Sequence, residues 1–196
     1  MIEYIKGEIE ELSPTQLTME CNGIGYGLNI SLTTYGAFNG QKKGKIYVYE
    51  VIREDAHLLY GFATREEREL FLLLTSVSGV GPNTARMILS SLPPAELINV
   101  IASGDDASLT SVKGIGSKTA QRIVVDLRNK VKQVESMDET GKLTPGVRSK
   151  TAEGAVAALI MLGFQKTTSQ KAVDSLLKKS PSASVEQVIK DALKML

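Results

Sequence analysis

The sequence predicts an α+β protein of several domains, because three parts of it carry three different hydrophobic patterns. The first part alternates apolar and polar residues in short runs, the middle part contains one glycine-bearing segment twice, and the last part has helical periodicity. A chain of 196 residues is long enough for one large domain or for two to three small ones. We therefore expect a β-rich domain followed by two helical domains.

The first domain, residues 1–63, is predicted to be a small β-barrel. Five short strands in so short a segment favour a Greek-key barrel of the OB type. Barrels of this type often bind nucleic acid, but a fold alone does not establish a function. The apolar runs, which are broken by Gly, Pro and Asn, lie at Ile2–Ile9, Leu17–Met19, Tyr26–Leu32, Ile46–Val51 and Leu58–Phe62.

The middle domain, residues 64–131, is predicted from an internal repeat with a constant offset of 35 residues, which relates Gly79 to Gly114. The segment Leu74–Ala85 recurs as Leu109–Ala120. In each copy an apolar stretch ends at a Gly-apolar-Gly turn, and a new helix with core-facing apolar spacing begins at once. This pattern predicts a tandem helix-hairpin-helix domain.

The two glycine turns are candidate phosphate sites. Glycine has no Cβ, so the backbone can approach a ligand closely, and the free N–H groups of the following helix point outward at the positive end of its dipole. A single Gly-x-Gly also closes a tight turn between helices for steric reasons alone, but two turns in one rigid unit can grip neighbouring DNA phosphates. The candidate DNA-binding residues are Gly79, Val80, Gly81, Asn83, Thr84 and Arg86 in the first copy, and Gly114, Ile115, Gly116, Lys118, Thr119 and Arg122 in the second.

The last part of the chain is predicted to be a linker followed by a small helical module. Residues 132–148 lose the apolar period and are rich in Glu, Asp, Thr, Gly, Pro and Ser, a composition that predicts a flexible linker. A tethered module as small as residues 149–196 folds only marginally alone, so we expect it to bind a partner. Its three amphipathic helices are predicted at Ala152–Leu162, Thr168–Lys179 and Ser184–Leu196.

The composition excludes several classes of protein. Cys21 is the only cysteine, so there is no disulfide framework and no cysteine set for zinc or an iron–sulfur cluster. No apolar run is long enough to span a bilayer and the start lacks a signal-peptide pattern, so we expect a cytoplasmic protein. With a net charge of only +1, a DNA-binding protein must segregate its charges, and Glu66, Glu67 and Glu69 are acidic residues expected away from DNA.

Arg53, Glu54 and Asp55 lie between the last two predicted strands, at the tip of a hairpin. Adjacent carboxylates at an exposed tip are either an ordinary solvated loop or part of a metal or acid/base site. The sequence supplies nothing nearby to complete such a site.

With these pieces in place, the chain resembles the RuvA family of Holliday-junction binding proteins over its whole length. The resemblance implies an OB-like domain, a double helix-hairpin-helix domain, a flexible linker and a small UBA-like C-terminal domain. The supporting segments stand in the family's order and at compatible spacing, and are Arg53–Phe62, Gly79–Pro82, Gly114–Ala120 and Ala155–Phe164.

The resemblance also implies a function and a set of site residues. Proteins of this family assemble as homotetramers, one or two per junction, and hold a four-way DNA crossover open and nearly planar. The turns then grip phosphates in the minor grooves, Glu54 and Asp55 form an acidic pin near the crossover, and Arg53 contacts the backbone beside it. Two departures from the family are Asn83, where a lysine is frequent, and Glu3, where a glycine is common.

The partners implied by the resemblance are the hexameric ATPase RuvB and the junction resolvase RuvC, with no membrane involved. The C-terminal domain engages RuvB, and Leu159, Leu162 and Phe164 are either part of that contact or part of the domain's core. The chain has no Walker-type loop, so it is expected to hold no cofactor, and the motor uses the ATP and magnesium.

Two other functions compete with junction binding. A glycosylase or nuclease with the same turns needs a metal-ligand cluster or an arranged nucleophile, and the lone His57 has neither beside it, so no catalytic residue is expected. A protein-interaction scaffold, in which the turns merely pack, differs from a phosphate binder in its response to salt.

Overall fold

The structure is a computed structural model that describes residues 1–134, 147–180 and 183–195. The chain divides into two compact units, Met1–Thr140 and Gly141–Leu196, which are described separately. Most of the predicted linker, residues 132–148, lies outside the described residues, so the linker stays a prediction.

A closed β-barrel forms the first part of the N-terminal unit, as the sequence predicts. The strand order is β1-β2-β3-β5-β4, in which β3 and β5 run parallel and all other pairs run antiparallel. Gly7 allows the close approach this closure needs, because a Cβ there would lie 1.9 Å from the Glu20 carbonyl oxygen. The strands are β1 (Tyr4–Ser13), β2 (Gln16–Cys21), β3 (Ile24–Ile30), β4 (Lys43–Ile52) and β5 (His57–Phe62).

A short helix, α1 (Leu32–Phe38), connects β3 to β4, where the sequence reading was wrong in continuing the third strand to Leu32. The strand ends one residue before Ser31, whose Oγ accepts a hydrogen bond from the Thr34 N–H at 3.0 Å and so caps the helix. The buried ring of Phe38 then packs into the barrel core. A local cap therefore outweighs the alternating pattern.

The helical part of the N-terminal unit shares a core with the barrel. Tyr60 and Phe62 of β5 contact Phe71, with ring centroids 5.2 and 4.9 Å apart respectively. The last short helix buries Val134, so the helical core extends three residues past the predicted boundary at residue 131. The helices are α2 (Arg65–Thr75), α3 (Pro82–Ser91), α4 (Pro94–Ser103), α5 (Asp106–Thr110), α6 (Ser117–Leu127) and α7 (Val131–Val134).

Glu67, which the sequence predicts only to lie away from DNA, is buried. It is 1% exposed, and its carboxylate accepts hydrogen bonds from Ser31 Oγ, from Thr34 Oγ1 at 2.7 Å and from the Ala63 N–H at 3.1 Å. Burial raises the pKa of this carboxyl, and the three hydrogen bonds oppose that rise. The residue thus ties α2 to α1 and to the end of β5.

The C-terminal unit is a three-helix bundle, as predicted, with α8 (Val147–Met161), α9 (Lys166–Lys179) and α10 (Val185–Ala192). Ser184 caps α10 by accepting a hydrogen bond from the Gln187 N–H at 3.3 Å. The fully buried side chains at the centre belong to Ala155, Leu159, Val173 and Ala192. Among the described residues, no helix is long and apolar enough to cross a membrane.

Candidate nucleic-acid interface

The repeat seen in the sequence is also a repeat in three dimensions. Gly79 and Gly114 adopt φ angles of 92° and 91°, a left-handed conformation that favours glycine. The N–H of Val80 donates to the Val77 carbonyl at 3.0 Å, and the N–H of Ile115 donates to the Val112 carbonyl at the same distance. Both turns therefore have the same backbone path and internal hydrogen bond.

Each turn leads directly into a helix whose N-terminus is left open. Gly81 and Gly116 occupy the N-cap positions of α3 and α6, and within the described part of the chain no side chain caps either helix. By contrast, Thr64 and Asp105 cap the neighbouring helices α2 and α5 through their side chains. Pro82, the first residue of α3, has no N–H, so the groups that remain available to an external acceptor are the N–H groups of Asn83 and Thr84 in α3 and of Ser117 and Lys118 in α6, at the positive end of each helix dipole.

The surface in front of these termini is also open. Among the described atoms, a Cβ built on Gly81 or Gly116 would meet nothing within 4 Å, and both glycines are exposed. A tetrahedral anion can therefore reach the backbone at either turn. This geometry supports the reading of the turns as phosphate sites.

Val80 and Ile115 do not present groups to a ligand, which corrects the sequence-based expectation for these two residues. Their side chains are buried in the core shared with the barrel, and their N–H groups are used inside the turns. Both residues anchor the turns. The groups at the surface belong to the flanking glycines and to the first residues of the helices.

Polar side chains follow each turn, as predicted. In the first copy Asn83 is exposed and accepts a hydrogen bond from the Tyr60 hydroxyl at 3.3 Å, while Thr84 is half-buried. In the second copy Lys118 is exposed and Thr119 is half-buried. The second turn therefore offers a cation at its edge, whereas the first offers an amide that is held by the barrel.

The two arginines each donate one N–H to a backbone carbonyl. Arg86 reaches the barrel, where its Nη1 lies 3.2 Å from the Thr15 carbonyl oxygen. Arg122 reaches from α6 to the first turn, where its Nη1 lies 3.1 Å from the Ser78 carbonyl oxygen. Because a guanidinium has five N–H donors, each arginine retains donors for a phosphate.

The loop Arg53–Ala56 joins β4 to β5 and is closed by a hydrogen bond from the Arg53 N–H to the Ala56 carbonyl at 2.8 Å. Arg53, Glu54 and Asp55 are all exposed, as predicted for a hairpin tip. Within the described residues, neither carboxylate has an ion pair, and no group of three His, Cys, Asp or Glu side chains is placed to hold a metal. The loop thus projects free negative charge.

The C-terminal residues singled out by the sequence separate into core and surface. Leu159 is fully buried in the bundle, so its assignment to a partner contact is corrected to core. Phe164 is half-buried against the same core, whereas Leu162 is 59% exposed. Sequence reasoning missed Met161, which is 89% exposed, because all residues from Ala155 to Met161 are apolar and their pattern does not separate exposed from buried side chains.

Three family models match the chain in the order of these parts. A RuvA N terminal domain matches residues 1–61, a SAM-like helix-hairpin-helix tandem matches residues 71–129, and a RuvA C-terminal domain matches residues 151–196. The barrel, the tandem turns and the helical bundle thus each correspond to a known domain.

Similarity to curated proteins extends over the full length. The chain is 70% identical over 198 residues to the Holliday junction branch migration complex subunit RuvA of Parabacteroides distasonis, with all of both chains covered. Proteins of the same name from Bacteroides fragilis and Porphyromonas gingivalis are 58% and 52% identical, again over all of both chains. These matches, together with the fold and the paired turns, show that the chain belongs to the RuvA family.

Proposed function

We propose that this chain binds four-way DNA junctions as the RuvA subunit of a branch migration complex. The observation that carries the proposal is the pair of glycine turns, each of which opens an uncapped helix N-terminus. Backbone N–H groups at such termini bind phosphate without reading bases, which suits a protein whose substrate is defined by its shape. The relatives named above support the same role, since their names specify the Holliday junction.

A homotetramer, one or two per junction, is the assembly that we propose. A closed ring with one subunit per arm matches a substrate with four arms. In this arrangement Glu54 and Asp55 lie near the crossover, where their negative charge repels phosphates and keeps the strands apart. Arg53, beside them, contacts the backbone.

The movement of DNA is driven by a partner in this proposal. The chain has no Walker-type loop, so ATP and magnesium are used by a hexameric RuvB motor that binds the C-terminal unit. The exposed apolar residues at the end of α8, Met161 and Leu162, supply the contact with this motor. The resolvase RuvC acts on the same held junction.

A binding competition tests the proposed function. The full chain is titrated against an immobile four-way junction and against a linear duplex of the same arm sequences, at about 50 mM and about 200 mM salt. We expect a strong preference for the junction, and affinities that fall with salt at a log-log slope of roughly −0.9 per duplex phosphate contacted. Equal affinity for both DNAs contradicts junction recognition, and binding that does not respond to salt supports the scaffold instead.

A further inference from the structure

Positions 87 and 122 are equivalent in the internal repeat, because they are related by the same offset of 35 residues as Gly79 and Gly114. Met87 lies on α3 and Arg122 lies on α6, each five residues into the helix that follows its own turn. The two side chains differ in chemistry, so the repeat in the sequence does not reveal that they have anything in common.

The side chain of Arg122, which belongs to the second motif, reaches the first motif. Its Nη1 donates to the carbonyl oxygen of Ser78 at 3.1 Å, and Ser78 immediately precedes Gly79. The hydrogen bond therefore holds the backbone of the first turn at the residue next to its left-handed glycine. A charge-assisted hydrogen bond of this kind is shorter and stronger than a neutral one.

The side chain of Met87, which belongs to the first motif, reaches towards the second motif. Its Cε lies 3.8 Å from the position that a Cβ would take on Gly114, so its methyl group stands beside the second turn. Met87 is 37% exposed and is not part of the buried core cluster. Met87 therefore lies next to the second turn at the surface, where the two motifs meet.

We propose that Met87 and Arg122 form a reciprocal cross-brace that fixes the distance and orientation between the two phosphate-binding turns. Each residue reaches from its own helix towards the turn of the other motif, and this adds a surface link to the buried core that both turns share. The inference rests on the proposed function, and it makes Met87 a positioning residue for DNA binding although it carries no charge and no hydrogen-bonding group.

The physical reason is bivalency. Once one turn holds a phosphate, the second binds the next with an effective concentration set by how rigidly the two turns are linked. If the two turns are linked flexibly, the second turn samples many positions, and its effective concentration at the neighbouring phosphate falls. The affinity for DNA then falls as well. Loss of either brace is therefore expected to weaken DNA binding beyond the loss of any direct contact.

The experiment compares Met87→Ala with wild type in the full chain, and uses Val125→Ala as a matched control, because Val125 is an exposed apolar residue of α6. We expect Met87→Ala to weaken binding to the four-way junction by about tenfold. The conservative Met87→Leu, which keeps a large apolar side chain at this position, should restore part of the affinity. The melting temperatures of Met87→Ala and Val125→Ala should remain close to each other.

A second comparison uses Arg122→Gln, with Arg128→Gln as its control. The control also removes a cation and a hydrogen bond to the backbone, because Arg128 Nε donates to the Ala102 carbonyl at 3.1 Å. In amide NMR spectra, we expect Arg122→Gln to shift Gly79 and Met87→Ala to shift Gly114, each in the other motif.

Wild-type affinity for the junction in Met87→Ala, or unshifted Gly79 and Gly114 signals, would overturn the cross-brace while leaving junction binding intact. If wild type itself shows no preference for the junction, the proposed function fails, but the NMR shifts still decide whether the brace exists.

Discussion

The Glu67 carboxylate lies where α1, α2 and the end of β5 meet, and it accepts hydrogen bonds from Ser31, Thr34 and the Ala63 N–H. No cation faces it among the groups that bond to it, so burial is the main influence and raises its pKa. A buried carboxylate that is fully hydrogen-bonded fixes geometry, because removing it leaves several donors without an acceptor. The barrel and the hairpin domain are joined rigidly for this reason.

We expect Glu67→Ala to lower the free energy of unfolding by about 2 kcal/mol, since it leaves Ser31, Thr34 and a backbone N–H unsatisfied. Urea unfolding measures this change. Glu69→Ala, on the same helix and at the surface, is the matched control and should have a small effect. Equal losses in the two variants would show that the hydrogen bonds of Glu67 are unimportant.

The raised pKa of Glu67 also makes the stability of the folded chain depend on pH. Burial raises the pKa of Glu67 above its ordinary value of 4.5, so the folded chain keeps this proton at pH values where the unfolded chain has lost it. The stabilisation from this group is therefore complete below 4.5 and is lost as the pH rises through the folded pKa. Glu67→Gln should remove this contribution, so that its unfolding midpoint falls less than that of wild type between acidic and neutral pH; parallel curves would contradict the assignment.

The role of Glu67 could not be read from the sequence. Its partners Ser31 and Thr34 lie 36 and 33 residues earlier, and only the fold brings them together. The cap at Thr64 is local, since its Oγ1 accepts from the Glu67 N–H at 3.1 Å, but nothing in the local sequence indicates that the Glu67 side chain is buried. By contrast, the exposed Lys118 and Asn83 lie where their spacing from the turns predicts, because a helix start is a local feature.

At the scale of elements, the two turns were predictable because glycine is required there for local reasons. Each turn needs a residue with a positive φ angle, and the glycines that supply it, Gly79 and Gly114, are visible in the sequence. The helix α1 was missed because its first residue, Leu32, continues the alternating pattern of β3, and Leu159 and Leu162 were not separated because both follow an apolar run. The position of Met87 beside Gly114 depends on how the two motifs pack, so the sequence carries no signal for it.

The β4–β5 loop carries the next prediction. Neutralising the pin with Glu54→Gln and Asp55→Asn should tighten binding to a four-way junction, because it removes repulsion from phosphates, and should reduce the preference for junction over duplex. Competition binding and a branch migration assay with the motor measure both effects. Glu10→Gln with Glu11→Gln, two exposed neighbouring carboxylates of β1, is the control and should change neither.

A result in which the pin variant binds and supports migration as wild type does would contradict the repulsive role of the loop. Loss of binding would contradict it equally, since removal of negative charge cannot weaken a contact with phosphate through Coulomb forces.

At the scale of the whole molecule, the proposed function assigns separate tasks to the two compact units, Met1–Thr140 and Gly141–Leu196. The first unit contains both turns and the acidic loop, and the second buries its own small core. We expect removal of residues 149–196 to abolish stimulation of the motor and to leave junction binding intact. Loss of both activities would show that the tasks are not separate.

A point variant locates the motor contact more sharply. Leu162→Glu places a charge on the exposed end of α8 without entering the core, so it should abolish motor stimulation while the bundle remains folded. Gln170→Glu adds the same charge on α9 and is the control. Helical circular dichroism checks the fold, and full stimulation by Leu162→Glu would place the contact elsewhere.

The central claim is that both open helix N-termini bind phosphate, and the salt dependence of junction binding by Gly81→Leu and Gly116→Leu tests it most directly. Ordinary φ angles of −85° and −82° and open surroundings let leucine fit at both positions, where it blocks the approach of a phosphate. Gly36→Leu, at an exposed glycine of α1, is the control. We expect each variant to weaken binding and flatten the log-log salt slope, and the double variant to lose most of both; wild-type affinity and slope in the double variant would contradict the account.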